Sequence, residues 1–193
     1  MVLSLIDNSG ENTHPTFVFT VADYSEVIRQ NRRDHLAKPN SHPRGVHRYF
    51  ESTLLPFPIE RVFEFFSKPE NLAAITPPEM QFRIVTPLPI VMGQGTLIDY
   101  RLKVFGFPMG WRTRITHWDP PYAFADEQLR GPYALWLHTH NFADEGGKTR
   151  MDDEVLYKMP LWPLGEVGGF LVHKKVEEIF RYRRRRIREI LGA

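Results

Sequence analysis

Trp136-Leu137-His138-Thr139-His140-Asn141-Phe142 alternates with a period of two, the repeat of a β-strand. Trp136, His138, His140 and Phe142 then share one face, and Leu137, Thr139 and Asn141 share the other. One face carries two imidazoles between two aromatic rings. The flanking segments add carboxylates at the same period: Asp126 in Phe124-Ala125-Asp126-Glu127-Gln128, and Asp153 in Met151-Asp152-Asp153-Glu154-Val155-Leu156-Tyr157. Polar groups set among aromatics suggest the wall of a pocket.

The register around this strand follows from its turns. Glu145-Gly146-Gly147 is a tight hairpin signal. A two-residue Gly146-Gly147 loop places His140 opposite Asp153, His138 opposite Val155 and Trp136 opposite Tyr157. The preceding hairpin sets Asp126 opposite His138 and Gln128 opposite Trp136. A one-residue slip would send each pair to opposite surfaces.

Outward from there, turn residues separate strands expected at 81–86, 96–105, 111–118, 123–129, 133–143 and 148–159, the pattern of an antiparallel meander. Breaks fall at Gly106-Phe107-Pro108, Asp119-Pro120-Pro121 and Arg130-Gly131-Pro132. A first strand is expected at 46–55. Pro58 opens a short helix carried by Ile59, Val62, Phe63 and Phe66, and Pro69 opens a second that Thr76-Pro77-Pro78 stops. The chain closes with a long helix over about 164–191. Its apolar stripe reads Val172, Val176, Ile179, Arg183, Ile187 and Ile190, with Gly165, Gly168 and Gly169 in its first turns. Residues 1–45 differ in composition and read as an arm, partly disordered or surface-packed, with a short helix over 21–36 capped by Thr20. The domain proper is 46–193.

Composition sets the outer limits. The chain has 193 residues, 42% hydrophobic and 25% charged, with a formal net charge of +2. That suits one soluble domain with a full core. There is no cysteine, which excludes a disulfide scaffold, a thiolate zinc site and a cysteine nucleophile. No apolar run reaches the ~18–20 residues that cross a bilayer, and the N-terminus does not read as a signal peptide. The cytoplasm is the expected location.

A curved antiparallel sheet of six to seven strands, two short helices after the first strand and a long C-terminal helix add up to an α+β helix-grip fold. Several motifs carry a resemblance. They include Asn71-Leu72 with Thr76-Pro77-Pro78, Ile98-Asp99-Tyr100 with Trp111, and Trp118-Asp119-Pro120-Pro121. Phe124-x-Asp126-x-Gln128-x-x-Gly131-Pro132-Tyr133, the Trp136-to-Phe142 strand and Asp153-x-Val155-x-Tyr157-x-x-Pro160 complete it. Over residues 46–190 the chain resembles a ligand-binding branch of the START-like superfamily, also called SRPBCC or polyketide cyclase/dehydrase-like. The resemblance implies a cavity between sheet and helix for a small hydrophobic or amphipathic molecule. It implies a reaction only for some members.

The expected site follows from both readings. Tyr100, Trp111, Phe124, Trp136 and Phe142 supply apolar lining, while Asp126, Gln128, His138, His140, Asp153 and Tyr157 orient a polar end. A cavity of several hundred Å3, by the usual ~300–1,000 Å3 of ligand pockets, is expected. The histidines, ~6.5–7 Å apart at Cα, admit zinc if Asp126 or Asp153 adds a third ligand. The plainer reading is that each imidazole hydrogen-bonds a carboxylate or another partner across the sheet, so no metal or cofactor is assigned. The enzymatic alternative is a cyclase- or dehydratase-like proton transfer, with His138, His140, Asp126 and Asp153 as catalytic candidates and Tyr157 and Gln128 as donors to a carbonyl. A third reading is an interaction module built on the basic run Arg181 to Arg188, binding nucleic acid or an anionic membrane surface. A solvated helix face explains that run more simply.

Overall fold

A two-glycine turn sets the register on which the sheet depends. Gly146 and Gly147 have φ of 65° and 81°, the left-handed region that a type I′ hairpin requires at both central positions. Glu145 N donates to Lys148 O at 2.7 Å across the turn. His140 then pairs with Asp153, His138 with Val155 and Trp136 with Tyr157. Asp126 pairs with His138 on the other side. These are the pairs expected from the alternation. The ladder stops at Glu127–Leu137, so Gln128 and Trp136 are not a ladder pair.

The structure, a computed structural model, describes residues 45–160 and 168–192. Its strands are β1 (Val46–Leu55), β2 (Arg83–Ile84), β3 (Leu97–Val104), β4 (Phe107–Asp119), β5 (Ala123–Arg130), β6 (Leu135–Asp144) and β7 (Thr149–Lys158). They form one antiparallel sheet in the order β1-β7-β6-β5-β4-β3-β2. Helix α1 (Ile59–Phe66) and 3-10 turns at Pro69–Ala73 and Pro78–Met80 lie between β1 and β2, and α2 (Gly169–Leu191) follows the sheet. This is the helix-grip arrangement. The arm, apart from Gly45, and positions 164–167 of the expected long helix lie outside the described residues. No helix among the described residues is long and apolar enough to cross a membrane.

Several boundaries differ from the sequence expectation. The β3–β4 turn is Phe105-Gly106, with φ of 50° and 82°, so β4 begins at Phe107 rather than after Pro108. Pro108 is tolerated because β5 ends opposite Arg112, leaving that end of β4 without a ladder on its far side. β2 shrinks to two residues because Gln81 is left-handed and the Val85 and Thr86 amides both donate to Asp99 O. On α2, Phe180 and Leu191 are buried, whereas Ile190 is 39% exposed.

Two register shifts between β4 and β5, at Arg112/Thr113 and Ile115/His117, add the bend and twist that bulges impose. The curved face is filled at one end and along its middle. At one end Phe63 and Phe65 of α1 pack with Phe124, Phe142, Met151 and Ile187. Arg61 Nη2 donates to Leu191 O at 3.0 Å and ties α1 to the end of α2. Along the middle, Val176 and Phe180 of α2 pack on Val155 and Tyr157 of β7.

The hairpin gives a direct test. A Cβ on Gly147 meets nothing within 4 Å, so the cost of Gly147→Ala comes only from its left-handed backbone. Urea denaturation should show a loss of about 1–2 kcal/mol. Gly93→Ala, equally unobstructed and without positive φ, should change stability by less than about 0.5 kcal/mol.

Candidate functional site

Curvature without complete filling leaves a space. A cavity of about 170 Å3 lies between the sheet and α2. That is smaller than the several hundred Å3 expected, and close to the ~150 Å3 that accommodates one benzene ring in an apolar core. The aromatic side chains themselves take up the difference. Tyr100, Trp111, Trp136 and Tyr133 form a continuous wall, with ring centroids 5.8 Å apart from Tyr100 to Trp111, 5.3 Å from Trp111 to Trp136 and 4.8 Å from Trp136 to Tyr133. The Trp111–Trp136 contact is edge-to-face at 89°, the arrangement favoured by ring quadrupoles. Phe105 lines the cavity and is 52% exposed, so it marks the mouth.

Asp126, His138 and His140 also line this cavity. β5 presents Asp126 directly opposite His138, and the period-two repeat brings His140 to the same face. His140 stacks on Phe124, centroids 4.2 Å apart. Behind the imidazoles, one strand nearer β1, stands Asp153, which is 2% exposed. His138 Nε2 lies 3.3 Å from Asp153 Oδ1. An ionised carboxylate only accepts, so this nitrogen carries the proton and Nδ1 keeps its lone pair. His140 Nδ1 approaches the same oxygen to 2.5 Å, at an angle that falls short of a hydrogen bond. His138 Nδ1 lies 3.8 Å from Asp126 Oδ2.

Burial decides the protonation of these groups. It pushes His138 down to about 3, with His140 adding to the effect and Asp153 opposing it, so the ring is neutral at physiological pH. Burial raises Asp126 to about 6, partly offset by His140 and Arg183. For Asp153 burial also acts upward, but the two imidazoles, His140 foremost, outweigh it and hold the carboxyl below the usual range.

Four expected site residues stand elsewhere. Asp153 is behind the lining. Phe142 is 4% exposed and faces α1, with Phe63 at 5.5 Å and Phe66 at 5.6 Å. The Tyr157 hydroxyl reaches His173 Nδ1 on α2 at 2.8 Å and joins helix to sheet. Gln128 brackets Tyr133: its Nε2 donates to Tyr133 O at 2.6 Å and its Oε1 accepts from Tyr133 N at 3.3 Å. It shapes the wall without lining the cavity.

Arg183 is a cavity-lining residue that the sequence reading treats as packing. Its Cζ lies 4.8 Å from the Phe180 ring centroid, and its Nε has no hydrogen-bond partner among the described residues. Burial lowers its pKa while Asp153 and Asp126 pull it upward, and a guanidinium stays charged throughout. The signal was an arginine on an apolar stripe. Its neighbours in the basic run serve the fold: Arg184 pairs with Glu51 of β1, and Arg186 with Glu189.

No known family model matches the sequence, and no curated protein does. Solved structures do share its fold. Protein Ms6760 from Mycobacterium smegmatis is 17% identical, covering 75% of this chain and 90% of its own, with a TM-score of 0.58. TTHA0849 from Thermus thermophilus is 20% identical over 74% of this chain and 95% of its own, at 0.55. Ginseng major latex-like protein 151 from Panax ginseng is 13% identical over 74% and 95%, at 0.51. These structures share the helix-grip fold that the sequence motifs suggested.

Asp126 allows a test of the electrostatics. A carboxyl raised to about 6 when folded binds more protons than the unfolded chain between about pH 4 and 6, so its contribution to stability falls as pH rises through that window. Asp126→Asn lacks this loss. The variant should match wild type near pH 4 and exceed it by about 3 kcal/mol above pH 6, read from denaturation midpoints across pH.

Proposed function

We propose that the protein binds a small hydrophobic or amphipathic molecule in the cavity between the sheet and α2. The observation that carries this reading is the composition of that one cavity, an aromatic wall from Tyr100 to Tyr133 joined to a polar cluster of Asp126, His138 and His140. The aromatic wall supplies affinity through apolar burial, and the cluster fixes the orientation of a polar end. Asp126 and His138 offer an acceptor each, which suits a ligand with a hydroxyl or amide donor. Arg183, electrostatically coupled to Asp126, suits an oxygen acceptor beside it. The START-like fold supports a ligand between sheet and helix in general.

A cyclase- or dehydratase-like reaction is the second reading, favoured by one specific arrangement. Asp126 and a neutral, oriented His138 face each other at 3.8 Å on the cavity wall, within reach of a common substrate group. Asp126, held at about 6 by burial, can take a proton from that group and return it, while the His138 Nδ1 lone pair accepts a hydrogen bond from it.

Native mass spectrometry of the purified chain tests both. A bound small molecule should accompany the wild type. Val172→Trp, which plugs the cavity from α2, should lose it while melting within a few degrees of wild type. A ligand held equally by the plugged variant would place binding elsewhere. If the site also reacts, Asp126→Asn should retain a species heavier by one water than that released by the wild type. Identical species in both would leave binding alone.

A further inference from the structure

We propose that Asp126, His138 and His140 form a mononuclear site for a divalent transition-metal ion of the zinc type, with one coordination position open to the cavity. One donor atom from each of the three residues lies within 4.8 Å of the others. Two come from alternate positions on β6 and the third from the residue directly opposite on β5. The set is thus held by ladder register, the most rigid support a fold offers.

The direction of the nitrogens is the second observation. Asp153 Oδ1 stands behind both rings, 3.3 Å from His138 Nε2 and 2.5 Å from His140 Nδ1. A carboxylate behind metal-ligating histidines is the usual outer support, fixing ring orientation and raising ligand basicity. Asp153 stands at His138 Nε2 and His140 Nδ1 and leaves each ring its other nitrogen as a donor to an ion. His138 Nδ1 and Asp126 Oδ2, at 3.8 Å, are too far apart to hydrogen-bond. The Asp126 carboxylate, 16% exposed, has no side-chain hydrogen bond among the described residues.

Donors ~2.1 Å from a tetrahedral zinc ion are ~3.4 Å apart, so the widest separation must shrink by roughly 1.4 Å, within the range of small side-chain rotations. Two nitrogens and one oxygen match an open zinc centre, since a structural site would have four protein ligands. The carboxylates of Asp126 and Asp153 oppose the ion's charge. Arg183 works against it, and also selects what fills the open position: an oxygen anion or hydroxide, attracted by both cations. The proposal shares the cavity with the ligand-binding reading but does not require it.

The test uses the full chain, stripped with a chelator and titrated with Co2+ at neutral pH, by calorimetry and visible absorption. One equivalent should bind at micromolar concentration or tighter, with the intense d–d bands of a low-coordinate ion. Asp126→Asn and His140→Ala should lose that spectrum, and Asp153→Asn should weaken binding roughly 10–100-fold. Thermal melts and an apolar fluorescent probe, anilinonaphthalene sulfonate, are run on the same samples. A folded Asp126→Asn that binds the probe but not cobalt supports the ion site; a wild type that takes cobalt but not the probe leaves the ion site standing and removes the ligand reading. Cobalt bound equally by wild type, Asp126→Asn and His140→Ala overturns the proposal, as does a wild type that takes none. Should the histidine variant fail to fold, paramagnetic shifts of the His138 and His140 ring signals in wild type decide the matter, and their absence on cobalt addition overturns it.

Discussion

A carboxylate enclosed in the middle of a sheet is the constraint around which this structure is arranged. Asp153 is 2% exposed, and an ion removed from water at that depth is tolerated only when other groups replace its hydration. The replacements are His138 and His140, with Arg183 of α2 adding a favourable charge. Each has a cost of its own. The imidazoles must hold one orientation, and the guanidinium must leave solvent with its Nε unpartnered. The result is a preorganised polar group of opposite charges in a part of the molecule otherwise built from aromatic rings.

Its placement follows from how the sheet curves. Shifts in the β4–β5 register bend the strands, and α2 spans the concave face by packing Val176 and Phe180 on β7. Phe63 and its neighbours fill the α1 end. Between these two packed regions the wall from Tyr100 to Tyr133 stands over a space it does not fill. A cavity of about 170 Å3 results, and the polar group faces it. Fold and site are therefore one arrangement: the strand register that aligns Asp126 with His138 also puts Asp153 behind the imidazoles.

Much of this was legible in the chain because it depends on period and turn chemistry. Gly146-Gly147 admits one tight turn, and that turn dictates which residue faces His140. The same logic reached Asp126 through the preceding hairpin. What depends on three-dimensional packing was not legible. Alternation puts Phe142 and Tyr157 on the His138 face, yet it cannot say that α1 covers the first or that His173 engages the second. Gln128 shares that difficulty, because its two bonds to Tyr133 arise from a turn whose path the sequence does not specify. Arg183 was hidden for another reason. In a run of arginines, one that faces inward is chemically identical to its solvated neighbours, and only its place on the apolar stripe sets it apart.

The measurement closest to the centre of this account is the protonation of His138, followed by long-range 1H–15N NMR of its ring in the metal-free protein from pH 5 to 8. With Asp153 accepting from Nε2 and burial holding the pKa near 3, the ring should stay neutral throughout, in the single tautomer protonated at Nε2. A ring that titrates near the ordinary ~6.5, or that shows averaged tautomers, would contradict the account, because Asp153 would then not be holding the site in place.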